Sequence, residues 1–136
     1  MKKNWLFLFF NFVCIGFLWG EKSPNVLFIA IDDLNDWIGC LGGHPQTKTP
    51  NLDRLAASGT LFTNAHCPAP ACNPSRSAIF TGISPHISGL YRNEQKMRDV
   101  LPDAELLPKT FSRAGYRAEG SGKMLHYFID AQSWDE

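Results

Sequence analysis

The sequence shows no excess of charge of either sign, because 13 lysine and arginine residues balance 13 aspartate and glutamate residues. A strong basic excess is typical of proteins that bind nucleic acids or anionic membrane surfaces. The balanced charge supports neither class, and we therefore expect no nucleic-acid partner.

The chain also lacks internal repeats, heptads and low-complexity tracts, so neither a repeat architecture nor a coiled coil is indicated. Charged residues make up 19% of the chain and aromatic residues 12%. Intrinsically disordered chains have the opposite composition, with much charge and few aromatic residues. With 136 residues, we expect at most one folded domain.

Cysteine and histidine are scarce, with four residues of each type. They form no C-x2-C or H-x3-H pair, the spacing that structural zinc sites prefer, so zinc is not indicated. Three histidines stand in no motif, and we assign no function to His44, His66 or His86.

Residues 1–20 resemble a secretory signal peptide. Lys2 and Lys3 provide a positive start, and an apolar stretch from Trp5 to Trp19 follows. The alternative is an uncleaved membrane anchor, for which a run of about 15 residues is short. We therefore expect a periplasmic or secreted protein that meets the membrane only during export.

Export also bears on the cysteines. Removal of residues 1–20 takes away Cys14 and leaves an odd number, so at least one cysteine stays free, modified or bonded to another chain. An exported protein can form a disulfide between Cys40 and Cys67, and the sequence leaves this pairing open.

Residues 25–31 form a nearly continuous apolar run, Asn-Val-Leu-Phe-Ile-Ala-Ile, which ends abruptly at Asp32 and Asp33. A run without alternation predicts a strand buried on both faces, as in a parallel sheet under helices. The two carboxylates then lie at the carboxyl end of this strand, where ligand sites form in open α/β sheets.

The next helix is predicted from its start and stop signals. Thr49 is placed to cap it, Pro50 suits its first position, and Gly59 is a stop signal. Residues 35–48 before it lack a period and predict a loop, whereas residues 60–64 after it predict a short strand.

A second helix is predicted after Cys72. Asn73 is placed as its cap and Pro74 as its first residue, followed by residues 75–80. This arrangement puts Cys72 beside a helix amino terminus, where unpaired N–H groups and the helix dipole favour anions.

The remaining chain continues the alternation of helices and strands. Residues 82–103 are rich in turn residues, residues 106–114 predict a helix closed by Gly115, and residues 116–121 predict a strand. The alternation indicates an α/β fold with a mostly parallel sheet flanked by helices. Because a typical sheet has five or six strands, we expect a truncated part of a larger domain.

The most specific motif is Cys-Asn-Pro-Ser-Arg-Ser-Ala-Ile-Phe-Thr-Gly, from Cys72 to Gly82. It resembles the signature of the type I sulfatases, in which C-x-P-x-R is followed shortly by Thr-Gly. Asn73 departs from this family, which most often has a small residue at that position.

Three other segments follow the order and approximate spacing of the same family. They are Asp32-Asp33, Thr-Pro-Asn-Leu-Asp-Arg-Leu-Ala at residues 49–56, and the stretch from Leu107 to His126. The Lys-x-x-His spacing of Lys123 and His126, with Leu-Tyr-Arg-Asn at residues 90–93, is most similar to iduronate-2-sulfatase-like and choline-sulfatase-like members. The resemblance covers nearly all of residues 24–126.

The resemblance implies an alkaline-phosphatase-like α/β fold, with residues 21–136 as the amino-terminal part of a sulfatase catalytic domain. It implies hydrolysis of a sulfated carbohydrate or a small sulfate ester. The alternatives are a phosphonate or phosphodiester hydrolase of the same superfamily and a non-catalytic, truncated binding module. Because the family takes its leaving-group acid from further downstream, we expect the fragment alone to be inactive.

The resemblance also implies roles for four residues. Cys72 is oxidised by a formylglycine-generating enzyme, and the hydrated aldehyde attacks sulfur with one hydroxyl and later releases sulfate by deprotonation of the other. Arg76 holds this diol and neutralises anionic charge. Lys123 binds sulfate, and His126 removes the diol proton.

By the same resemblance, Asp32, Asp33 and residue 72 bind one divalent cation, usually calcium. Adjacent carboxylates repel each other, and a hard cation with oxygen ligands relieves this repulsion. The family takes two further ligands from later in the chain, so these residues are expected to form half of the metal site.

Overall fold

The computed structural model describes residues 23–126 and 128–135. Within them the chain forms five α-helices and two short 3-10 helices, and no strand. The α-helices are α1 (Pro50–Ser58), α2 (Cys72–Thr81), α3 (Pro85–Ser88), α4 (Met97–Val100) and α5 (Leu107–Arg113), and the 3-10 helices are Gly39–Leu41 and Ala131–Ser133. The predicted signal peptide, residues 1–20, lies outside the described residues. None of the described helices has the length and apolar character needed to cross a bilayer.

Helices α1 and α5 confirm the helices predicted over residues 49–59 and 106–114. Each has a proline in its first turn, Pro50 in α1 and Pro108 in α5, where the missing N–H costs no hydrogen bond. Gly115 follows α5 with a φ of 87°, a left-handed conformation that favours glycine.

The predicted cap of α1 is wrong, because the side chain of Thr49 accepts no hydrogen bond from a backbone N–H of the first turn. Its hydroxyl accepts a hydrogen bond from the Gly39 N–H at 2.7 Å and donates one to Asp53 at 3.0 Å. Asp53 also accepts from the Cys40 N–H at 2.8 Å. Thr49 and Asp53 therefore attach the 3-10 helix Gly39–Leu41 to α1.

Helix α2 begins earlier than predicted. Cys72 is its first residue and Asn73 its second, while Ala71 precedes it with extended backbone. Asn73 is not the cap, because its side chain is 1% exposed and bonds to the segment after Gly89 instead of the helix backbone. The predicted irregular segment, residues 82–103, contains the two four-residue helices α3 and α4.

The three predicted strands are not formed in the described part of the chain. Residues 25–31, 60–64 and 116–121 have no regular secondary structure. No backbone hydrogen bond joins residues 25–31 to another described segment, and Leu27 is 83% exposed. A strand buried on both faces requires neighbouring strands and covering helices, which the described residues do not supply. The α/β fold predicted from the alternation is therefore not seen in these residues.

The hydrophobic core is small and lies where α2, α4 and the start of α5 meet the chain after Gly122. Its buried members are Phe80, Leu90, Met97, Leu106 and Leu125, with Leu101, Met124, Phe128 and Trp134 packed against them. Phe80 lies one helical turn beyond Arg76, and Leu125 lies two residues beyond Lys123. Packing of Phe80 and Leu125 in one core thus brings the residues around Arg76 and Lys123 together.

A partly buried ion pair anchors the last described segment to α4. The Arg98 guanidinium donates to both oxygens of Asp130, at 2.9 Å and 2.6 Å, and also to the carbonyl of Ala104 at 2.7 Å. Ser133 donates to the same carboxylate at 2.5 Å. The Asp130 side chain is only 6% exposed, so loss of its charge leaves a cation without its partner in a poorly solvated place.

We predict that Asp130→Asn lowers the free energy of unfolding by about 2–4 kcal/mol, because it breaks a desolvated, bidentate pair. Urea unfolding followed by tryptophan fluorescence measures this change. The matched control is Glu119→Gln, which removes one partner of Arg117 in an ion pair whose side chains are 67% and 56% exposed. This control is expected to cost less than about 0.5 kcal/mol. Equal losses in the two variants contradict the prediction.

The same pair predicts a pH dependence of stability. The hydrogen bond from Arg98 lowers the pKa of Asp130 below its ordinary value of 3.8. The stabilisation is therefore complete above the ordinary pKa and is lost as the pH falls through the lowered one. We expect the urea midpoint of the wild type to fall more steeply below about pH 4 than that of Asp130→Asn. Parallel profiles would contradict this assignment.

Candidate active site

Cys72 lies at the amino terminus of α2, as the sequence predicts, with the chain before it restricted by Pro68 and Pro70. The first N–H groups of a helix have no partner within the helix. One of them, the N–H of Asn73, donates to the side-chain oxygen of Asn93 at 2.9 Å. The helix amino terminus is therefore capped by a side chain from a distant segment.

The segment that supplies this cap is folded around Gln95. The Gln95 side-chain oxygen accepts from the N–H groups of Tyr91 and Arg92, at 2.8 Å and 2.9 Å, and its amide nitrogen donates to the Gly89 carbonyl at 3.0 Å. Residues 89–95, which we call the capping loop, thus form a closed turn. Gly89, at a φ of 75°, begins it in the left-handed conformation.

Asn73 attaches the capping loop to α2. Its side-chain nitrogen donates to the carbonyls of Gln95, at 2.6 Å, and Arg92, at 3.0 Å. The roles of Asn93 and Gln95 were not predicted from the sequence. Their polar side chains in a turn-rich segment were the only indication in the sequence. Such side chains bond to the backbone in turns of many kinds, so they did not identify a helix cap.

Arg76 lies one helical turn after Cys72 and joins three segments. It is 7% exposed, and its guanidinium donates to Asp32 at 2.8 Å, to the carbonyl of Lys123, and to the carbonyl of Met124 at 3.4 Å. A planar guanidinium with several donors suits this geometry, whereas lysine has one compact ammonium group.

Lys123 lies on the open side of the same cluster. Its ammonium donates to the second oxygen of Asp32 at 2.5 Å and lies 3.4 Å from the Cys72 sulfur. The sulfur itself lies 3.8 Å from the first oxygen of Asp32. The structure therefore brings four of the predicted site residues together, namely Asp32, Cys72, Arg76 and Lys123.

The carboxylate of Asp32 and the ammonium of Lys123 stabilise each other's charged form. The hydrogen bond from Lys123, and after it the one from Arg76, lower the pKa of Asp32 from 3.8 to about 2. The bond to Asp32 in turn raises the pKa of Lys123. The Asp32 carboxylate and the Lys123 ammonium are accordingly charged at neutral pH, so groups of both signs lie beside Cys72.

Asp33 follows Asp32 with a φ of 55°, in the left-handed region that residues other than glycine seldom adopt, although aspartate is among those enriched there. Donor atoms of Asp33, Asp32 and Cys72 all lie within 4.8 Å of one another. Two carboxylates suit a hard divalent cation, and calcium takes six to eight oxygen ligands. The residues present therefore fit part of a cation site.

Cys72, Arg76, Asn93 and the two aspartates line an open cavity of about 510 Å³. Lys123 and His126, the other two predicted site residues, are not among the described residues that line this cavity, and His126 is 9% exposed. The predicted role of His126 is therefore not supported by a position at the cavity wall.

The cysteines that the sequence left open to pairing, Cys40 and Cys67, are free thiols in the structure, as is Cys72. The Cys67 thiol contacts the carbonyl of Ala69 at 3.2 Å. Cys72 differs from the other two in lying 3.4 Å from an ammonium group.

Comparison with known proteins gives one family. The family model described as Sulfatase matches residues 24–135. A sulfatase of Formosa agariphila is 46% identical over 120 residues, covering 84% of this chain and 24% of the relative. N-acetylgalactosamine-6-sulfatase of Homo sapiens is 40% identical over 114 residues, covering 75% and 22%. Iduronate 2-sulfatase of Homo sapiens is 32% identical over 139 residues, covering 97% and 25%.

The chain therefore spans about a quarter of the length of the curated relatives it matches. No solved structure matches it. The family match extends over most of the chain and includes the motif from Cys72 to Gly82. On this basis the chain belongs to the sulfatase family, as that motif predicts.

Proposed function

We propose that this chain forms the nucleophile and sulfate-binding part of an enzyme that hydrolyses sulfate esters, with a sulfated carbohydrate or a small sulfate ester as substrate. The observation that carries the proposal is the position of Cys72 at the amino terminus of α2, within 3.4 Å of Lys123 and 3.8 Å of Asp32. Family membership and the relatives' names support the reaction class.

Formylglycine at position 72, produced by a formylglycine-generating enzyme, would supply a nucleophilic hydroxyl through its hydrated aldehyde. The positive end of the α2 dipole and the Lys123 ammonium then attract the sulfate oxygens. Arg76, fixed by two backbone carbonyls, stabilises the negative charge next to residue 72. These residues bind and orient the ester.

A divalent cation, which we take to be calcium, would add positive charge beside the sulfate oxygens. Asp32, Asp33 and residue 72 would hold it, because their donor atoms lie within 4.8 Å of one another. For His126, the proposed role of removing the hydroxyl proton rests on its position three residues after Lys123, as in the family motif.

Residues 1–20 are proposed as a signal peptide that directs the protein to the periplasm or to the outside of the cell. Their positive start and apolar run support this assignment. Residues 21–136 then form the amino-terminal part of the catalytic domain.

We predict that Cys72 is converted to formylglycine when the chain is co-expressed with a formylglycine-generating enzyme. Mass spectrometry of the tryptic peptide and capture of the aldehyde by a hydrazide probe measure the conversion. Cys67→Ala is the matched control, because it removes a neighbouring exposed thiol outside the motif and should leave the labelling unchanged. Cys72→Ala should remove it. An unmodified thiol at position 72 under these conditions contradicts the proposal.

A chimera tests the reaction itself. Residues 24–135 replace the corresponding segment of the Formosa agariphila relative, which is 46% identical. We expect the chimera to hydrolyse 4-nitrophenyl sulfate, and to hydrolyse 4-nitrophenyl phosphate at least about 100-fold more slowly, because the remainder of the chimera comes from a protein named as a sulfatase. Residues 21–136 alone should show no turnover, because three donor atoms leave a calcium site incomplete.

The controls separate folding from catalysis. Cys72→Ala in the chimera should reduce hydrolysis to background with an unchanged melting temperature, while Cys67→Ala should have no effect on either. A preference for the phosphate ester would refute the proposed substrate class. Turnover by residues 21–136 that disappears in Cys72→Ala would refute the expectation that this part is inactive alone.

A further inference from the structure

Both oxygens of the Asp32 carboxylate are already occupied in the structure. Arg76 donates to the first at 2.8 Å, and Lys123 donates to the second at 2.5 Å. Asp33, by contrast, is exposed and forms no ion pair with a side chain of residues 23–126 and 128–135. The two neighbouring carboxylates are therefore held very differently.

The local charges are balanced without any added ion. Asp32 and Asp33 carry two negative charges, and Arg76 and Lys123 carry two positive charges beside them. A divalent cation that binds to Asp32 and Asp33 would make this cluster strongly positive. Such an excess is unfavourable unless a positive side chain withdraws or an anion enters.

Of the two cationic side chains, Lys123 is the one that can withdraw. Its side chain is 41% exposed, whereas that of Arg76 is 9% exposed and is also bonded to two backbone carbonyls. A lysine ammonium sits on a flexible four-carbon chain, so it changes partners at little cost in packing. Gly122 precedes it in the left-handed conformation, at a φ of 75°.

We propose that Lys123 exchanges partners, leaving Asp32 when a divalent cation binds there and contacting an incoming sulfate-type oxyanion instead. Cation and oxyanion then bind with positive cooperativity, because each removes the obstacle to the other. This inference rests on the proposed function and adds to it a change of partner for Lys123. The side chain competes with the cation for Asp32 when the anion is absent, and it bonds to the anion when the anion is present.

The test measures calcium binding by the full chain, with Cys72 unmodified, using isothermal titration calorimetry. The anion probe is methyl sulfate, and sodium chloride at equal ionic strength replaces it in the reference titration. For the wild type, we expect methyl sulfate to lower the apparent Kd of calcium by roughly 10-fold, within the usual range of coupling between sites.

The variants identify the residue responsible. Lys123→Met should bind calcium roughly 10-fold more tightly than the wild type in chloride, and methyl sulfate should then change its Kd by less than about 3-fold. Lys123→Arg retains the competing charge and should bind calcium as weakly as the wild type in chloride. Lys109→Met, which removes an exposed lysine on α5, is the matched control and should behave as the wild type does.

Two results would overturn the inference. Calcium binding that is unaffected by methyl sulfate and by Lys123→Met means that Lys123 does not compete, while formylglycine formation at residue 72 can still support the proposed function. Absence of calcium binding in every variant up to about 10 mM rejects the exchange in this chain, because Lys123 then has no cation to compete with, while formylglycine formation at residue 72 can still support the proposed function.

Discussion

The arrangement around Cys72 depends on the contacts of one buried guanidinium. Arg76 extends from the first turns of α2 to Asp32 on one side and to the carbonyls of Lys123 and Met124 on the other. These three segments are separated by more than forty residues of sequence. Removal of the guanidinium would take a donor from both carbonyls and from one oxygen of Asp32, which would keep its bond to Lys123, so position 76 both joins the three segments and contributes to the charge of the cluster.

Local patterns and the family motif were enough to predict several helix ends and the placing of Cys72 near Arg76. Pro50 and Gly115 marked helix ends, and the motif indicated that Cys72 and Arg76 lie one turn apart on a helix. The position of Lys123 near residue 72 was expected from the resemblance alone, and its contact with Asp32, ninety-one positions away, was not predicted. The roles of Asn93 and Gln95 were not predictable, because their bonds run to backbone atoms that only the folded chain brings near.

Strand prediction failed for a different physical reason. Apolar, β-branched residues show that a segment suits a sheet, but a strand exists only through hydrogen bonds to its neighbours. Residues 25–31 have the apolar, β-branched composition of a strand, and Phe28 packs edge-on against Phe80 with ring centroids 6.1 Å apart. Leu27 and Ile29 remain exposed, at 83% and 67%. Helices depend less on such distant pairing, which is why α1 and α5 agree with their local signals.

The hydrogen bonds of Asn73 restrict changes in the length of the capping loop among related chains. Two carbonyls of that loop are bonded to one buried amide, and a loop side chain is bonded back to the helix N–H, so loop and helix terminus form one unit. Exposed turns ordinarily tolerate insertions and deletions. Here a single added residue between Gly89 and Gln95 would shift the register of all these bonds, and the nucleophile position would move with it.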